Sequence, residues 1–274
     1  MQGQSSKVVK ASAAPYAASG VVTTAPKSLW QQVWRRFCRH RLALLGVSVL
    51  VLLTLAILLG PLVYDRRIND IDFTVSLQGP SLAHPLGTDD LGQDLLARLL
   101  HGGRVSMAVG LTAMLIAIVL GISIGATAGY CGGWVDNVLM RLTDLFIALP
   151  QLPLLLLVVY FFRDPMRRLF NPELGIFLLI VLVIGGLRWM QPARLVRAAF
   201  LSLKEKEYVE AAVALGTPPL RLALRHILPN ALSPVIVAAS LGVASAILAE
   251  SALSFLGLGF PPDMPTWGRV LFDA

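Results

Sequence analysis

Apolar residues in this chain fall into long uncharged runs separated by short charged segments. The runs occupy residues 42–63, 105–131, 145–162, 174–187 and 231–249, with lengths of 22, 27, 18, 14 and 19. A helix needs ~20 mostly apolar residues to cross ~30 Å of hydrocarbon. Four runs qualify directly. The run from 174 reaches about residue 193 only if Arg188 sits at an interface or faces a wet cavity; otherwise it reads as a buried core helix. The pattern predicts an all-α integral membrane protein with spans at about 42–63, 105–131, 145–162, 174–193 and 231–249. Residues 1–29 are rich in Ala, Ser, Thr and Val, contain Pro15 and Pro26 and show no period, so a disordered tail is expected there. It is not a secretory signal, because the first apolar run starts only at residue 42.

Composition agrees with that placement. The chain is 56% hydrophobic and only 14% charged, with a mean hydropathy of +0.72. Soluble domains carry about 25% charged residues, so too little charge is left here to cover a water-exposed globule. Orientation follows from Lys and Arg. With the N-terminus in the cytoplasm, 15 basic residues fall inside and 8 outside, as the positive-inside rule requires. Arg163, Arg167 and Arg168 in a short outer segment are a local exception. The first region, 30–101, then holds the first span and an external segment, and 102–274 holds the remaining spans with a cytoplasmic loop at 200–229.

The sequence offers no catalytic engine. It has no Gly-Lys pair and hence no P-loop, no HExxH, no GxSxG and no metal-ligand spacing among His40, His84, His101 and His226. Cys38 and Cys131 form no CxxC. Asp89, Asp90 and Asp94 cluster after Gly87 and Thr88, where a cation site is conceivable. A helix start capped by Thr88 or Asp89 is the simpler reading. Gly121, Gly125 and Gly129 repeat every four residues, which suits close helix packing, with pathway lining as the alternative. Glu250 follows 19 uncharged residues; it reads as a wet outer interface or as a pathway or gate residue. Arg188 and Arg194 are candidates for the inner mouth, with an interfacial snorkel as the alternative.

The informative segment is 204–230, KEKEYVEAAVALGTPPLRLALRHILPN. Tyr208, Val209, Ala212 and Leu215 share a stripe at helical spacing. Gly216 suits a left-handed helix end and Pro218 stops the helix. A second helix starts at Pro218 or Pro219 and is expected to break near Pro229. This helix–turn–helix reads either as an amphipathic loop lying on the bilayer or as a docking element. Docking is favoured by the small surface of Ala211, Ala212, Ala214 and Gly216 beside the charge of Glu210.

Glu210, Ala211 and Ala212, then Gly216, then Leu228 and Pro229 resemble the EAA signature of ABC-importer membrane subunits, with His226 where the general signature has Ile. HPLGTDDLGQD at 84–94, GYCGGWVD at 129–136, MRLTD at 140–144, ARLVR at 193–197, ESALSFLGLG at 250–259 and TWG at 266–268 resemble, in order, segments of one branch. Gln93 stands where that branch has Arg. The branch is the C-type permease subunit of dipeptide, oligopeptide and nickel ABC importers. The resemblance implies a polytopic helical bundle of the type I ABC importer permease kind, with a sixth span expected beyond the five present. It implies a non-catalytic subunit of the inner membrane that forms half of a translocation pathway. Its implied partners are a second homologous permease subunit, two P-loop ATPase subunits carrying ATP and magnesium, and an extracytoplasmic substrate-binding protein. It implies ATPase coupling through Glu210, Ala211, Ala212, Gly216, Leu228 and Pro229. Peptide is the substrate it suggests first, with nickel or another small solute as the alternative. An ion-coupled secondary transporter is the alternative of another class; it needs intramembrane acids, and only Glu250 comes near. No nucleic-acid partner is expected.

Overall fold

The computed structural model describes residues 37–273; the expected tail at 1–29 lies outside the described residues. The chain divides at Leu52 into two units, Met1–Leu52 and Leu53–Ala274. In the first unit the described residues lead into helix α1 (Arg41–Val63), a 23-residue span with lipid-type side chains on nearly every face. Such all-round apolarity is what a helix surrounded by lipid requires.

The second unit is helical throughout its described length, apart from loops and one isolated β-bridge between Thr88 and Asp94. Its helices are α2 (Leu95–Cys131), α3 (Gly133–Ala148), α4 (Gln151–Leu169), α5 (Pro172–Gly186), α6 (Met190–Lys204), α7 (Glu207–Ala214), α8 (Leu228–Phe255) and α9 (Trp267–Asp273). Helix α2 is the hub and packs along α6, α8 and α5. It starts ten residues before the uncharged run at 105, because Arg98 and Arg104 lie within it. Arg98 is buried and paired with Asp89 and Asp273, while Arg104 donates to the carbonyls of Ile57 and Leu58. Charges satisfied in this way do not end a helix.

The glycine stripe faces α6. A methyl group at Gly121 would come within 2.9 Å of the Trp189 carbonyl oxygen, at Gly125 within 2.9 Å of Val196 Cβ, and at Gly129 within 2.6 Å of Phe200 Cβ. In lipid, where burial of apolar surface gives little drive between helices, such close approach supplies the association through dispersion contacts.

Two of the expected straight spans are bent. The run 145–162 straddles a break between α3 and α4, whose axes meet at 88°. Pro150 lacks an amide hydrogen and forces Leu149 into an extended conformation, with ψ 136°. The run 174–193 breaks between α5 and α6 at 41°, after Gly185 and Gly186, and Arg188 lies in that break. Among the described residues three helical stretches are long and apolar enough to cross a membrane alone, and up to five if each bent pair counts as one.

The expected break at Pro229 is absent. The chain runs helically from Pro219 to Phe255. A π-helical turn at Leu222–Ile227 widens the helix just before Pro229, so the proline ring is accommodated without a break.

Candidate functional site

Three groups of residues carry the chemistry. The first is the 204–230 loop. Helix α7 ends in a Schellman motif: the Gly216 amide donates to the Val213 carbonyl at 2.9 Å and the Thr217 amide to the Ala212 carbonyl at 3.1 Å. Gly216 has φ +73° and open space where a side chain would project. Val209 and Ala212 turn inward and join Val196, Phe200, Leu222 and Ile227 in one apolar cluster, with Leu228 packed against it. Glu210, Ala211 and Pro229 are exposed, as are Val213, Leu215, Leu220 and Leu224. The small surface expected from Ala211, Ala212, Ala214 and Gly216 therefore needs correction. Ala212 anchors the loop from within, whereas Leu215, on the same stripe at helical spacing, is 86% exposed.

The second group ties α2, α3 and α6 together. Arg197 of α6 makes a bidentate pair with Asp136 of α3, with Nη2 to Oδ2 at 2.6 Å. Arg194 pairs with Asp144 on the same two helices, both side chains being about half exposed. Arg194 is thus engaged in an ion pair and is not among the residues lining the cavity described next. Lys204 donates to the Tyr130 carbonyl at 2.9 Å.

The third group lies at the two helix breaks. A cavity of about 340 Å³ opens between Met114, Phe146, Leu187, Pro192, Leu241 and Gly242, and Arg188 is the one charged residue on its wall. A second cavity of about 270 Å³ continues along α8 toward Ala252. Gln151, Arg188 and Ser245 line both. The Gln151 side-chain amide donates to the Leu187 carbonyl at 2.9 Å and so holds the break beside Arg188. Arg188 Nε is buried and meets no hydrogen-bond partner.

Glu250 is not on either cavity. It is fully buried, accepts from the Ser106 hydroxyl at 3.0 Å and the Ser254 hydroxyl at 2.7 Å, and lies beside Thr266. The Trp267 amide in turn donates to Ser106 Oγ. Glu250 thus ties α8 to α2 and to the start of α9, a role that neither the wet-interface nor the gate reading anticipated.

The acidic cluster at 89–94 is a folded loop. Asp94, and neither Thr88 nor Asp89, caps α2, accepting from the Ala97 amide at 2.8 Å. Its other oxygen accepts from Tyr64 Oη at 2.6 Å and lies 2.8 Å from His84 Nδ1. Burial raises the Asp94 carboxyl, but the bonds from Tyr64, Ala97 and His84 outweigh it and hold it below the usual carboxylate range. Burial and Asp94 push the Tyr64 phenol up to about 12, so it remains a donor at neutral pH. Asp89 moves the other way: burial raises it more than the Gln93 amide, Arg98 and the Leu91 amide lower it.

The family model for the binding-protein-dependent transport system inner membrane component matches residues 117–273, and that for the N-terminal TM domain of oligopeptide transport permease C matches 28–80. The chain is 41% identical over 249 residues to the oligopeptide transport system permease protein OppC of Escherichia coli K12, covering 90% of this chain and 79% of that one. It is 35% identical over 247 residues to the dipeptide transport system permease protein DppC of Alkalihalophilus pseudofirmus, covering 90% and 78%. With the glutathione transport system permease protein GsiD of Pectobacterium atrosepticum the identity is 36% over 247 residues, covering 89% and 78%. The chain belongs to the family of binding-protein-dependent transport system inner membrane components. It is a multi-pass permease subunit of an ABC importer.

Within this permease, three of the resembling segments acquire a physical meaning. The final Asp of GYCGGWVD pairs with the final Arg of ARLVR, and the Asp of MRLTD pairs with Arg194. Sequence reasoning missed Gln151, Ser245 and Phe146 as cavity residues. The usable signal was Pro150 and Pro153 inside an apolar run, since prolines there are tolerated where a helix breaks around a cavity.

Proposed function

We propose that this permease forms half of a pathway for di- or oligopeptides and is driven through its 204–230 loop. The N-terminus is cytoplasmic in this reading, and a second homologous permease subunit completes the pathway. Two ATPase subunits, which bind and hydrolyse ATP with magnesium, grip the loop from inside. A substrate-binding protein delivers cargo from outside. The carrying observation is the loop's construction: a rigid apolar anchor inside, and Glu210, Ala211, Val213, Leu215 and Leu220 exposed outside. A loop spread on lipid would bury its apolar residues in one face and array basic residues opposite. Here acids and bases are mixed along the exposed side, with Glu205, Glu207 and Glu210 before the turn and Arg221 and Arg225 after it. The anchor joins the loop to α6 and α8, so a displacement of the loop moves those helices, and ATP works through its differential affinity for two states. Peptide is favoured over nickel because the cavity wall bears a guanidinium and no carboxylate or imidazole, the ligands a metal cation needs.

The test is Leu215→Arg in the full transporter. Leu215 touches little of its own chain, so membrane insertion and pairing of the permease subunits should survive. Recovery of the ATPase subunits with the permease, and peptide uptake, should be lost. Full ATPase recovery and normal uptake would remove the docking reading.

A further inference from the structure

We propose that Arg188 is a binding site for the C-terminal carboxylate of the peptide in transit. The proposal rests on the peptide reading above and adds the group that is recognised. Arg188 lies in the break between α5 and α6, where Gln151 and Ser245 join it at the junction of the two cavities. The junction faces the middle of α8 rather than either end, so this charge sits deep in the span. A guanidinium at that depth is costly unless it is paired or hydrogen-bonded. Arg194, Arg197 and Arg98 each have a carboxylate partner, but among the described residues none pairs with Arg188, and its Nε lacks any acceptor. The break therefore holds a permanent positive charge without a carboxylate partner, on the wall of a space large enough for a short peptide.

The walls suit such a ligand. Peptides that share one pathway differ in their side chains and have in common their backbone and a terminal carboxylate. Met114, Phe146, Leu187 and Leu241 offer apolar contact that does not discriminate among side chains, and methionine adapts to varied shapes. Gln151 and Ser245 offer backbone-type hydrogen bonds. Only the guanidinium is selective, and its planar fork matches a carboxylate in a bidentate way. One strong contact in an otherwise permissive cavity also lets cargo leave, as a transport site requires.

The experiment uses the complete transporter in proteoliposomes, with Cys38 and Cys131 replaced by Ser and with cysteine-free partner chains. A single Ala238→Cys on the cavity wall is labelled by a maleimide with or without trialanine or trialanine amide. Trialanine should slow labelling and its amide should not. Arg188→Gln should abolish that protection, raising the trialanine concentration needed by about tenfold or more, the scale of a lost charge-assisted bond. Arg188→Lys should restore part of it. Equal protection by both peptides, no protection by either, or protection that survives Arg188→Gln overturns the proposal. Uptake of labelled trialanine by the parent vesicles tests the peptide reading separately. If uptake fails, that reading falls and this site with it; if uptake occurs without carboxylate-dependent protection, only the Arg188 site falls.

Discussion

At Gly216 and Asp94 a single side chain determines whether a segment can form. Gly216 has empty space around it, so a larger residue there meets no clash. What it meets is a left-handed backbone, disfavoured by about 1–2 kcal/mol for a residue with Cβ. Gly216→Leu combines that strain with bulk on the face proposed for docking, whereas Asn tolerates the conformation and is small. We expect Gly216→Leu to abolish peptide-dependent growth with the protein still in the membrane, and Gly216→Asn to retain most of it. Normal growth with Leu would show that nothing approaches this face. Asp94 is held below the ordinary carboxylate value by its hydrogen bonds. Its contribution is therefore fully present above about pH 4, the unfolded value, and is lost as pH falls through the lower folded value. Asp89, raised by burial, acts in the opposite sense and gains as it protonates. Heat stability in detergent should fall on the acid side in the parent protein and fall less in Asp94→Asn, which keeps a capping oxygen but has no charge to lose. Asp94→Ala should lower stability by about 1–2 kcal/mol at neutral pH through the missing cap.

Between elements, magnitude separates the two ion pairs that join α3 to α6. The Arg197–Asp136 pair is bidentate and part-buried, with Asp136 more sheltered than Arg197, and charged hydrogen bonds contribute about 1.5–3 kcal/mol each when kept from water. The Arg194–Asp144 pair has both side chains about half exposed, where about 0–1 kcal/mol is usual. Asp136→Ala should thus lower the melting temperature and expression of the permease clearly, and Asp144→Ala hardly at all; equal effects would mean the shielding is not maintained in the membrane. These pairs were visible in the sequence only as motif letters, because a spacing of 61 residues says nothing about contact. The glycine period, by contrast, is a local pattern, and its three members sit in van der Waals contact with α6. The bends escaped notice for a related reason: hydropathy averages over Pro150, and only the backbone chemistry of proline reveals that an 18-residue apolar run comprises parts of two helices. The cavity was illegible because it lies where those breaks meet, which no single segment encodes.

For the whole molecule, the span count fixes which loops share a side of the membrane. That count was largely legible, since uncharged runs of sufficient length have few other homes, although Arg98 and Arg104 hid the first turns of α2 by being satisfied inside the fold. The native cysteines make a direct check. Cys38 precedes α1 and Cys131 ends α2, and both thiols are free and exposed. If α1 and α2 each cross once and the N-terminus is cytoplasmic, both cysteines face the cytoplasm, while Leu82, fully exposed in the segment between those helices, faces outward. An impermeant thiol reagent should then label Cys38 and Cys131 in inside-out vesicles and not in intact spheroplasts, and Leu82→Cys should show the reverse. Labelling of Cys38 and Cys131 from opposite sides would mean that one of the two helices does not cross. Labelling of both from outside would invert the orientation and move the 204–230 loop away from any cytoplasmic ATPase, so the coupling proposal stands or falls with the same measurement.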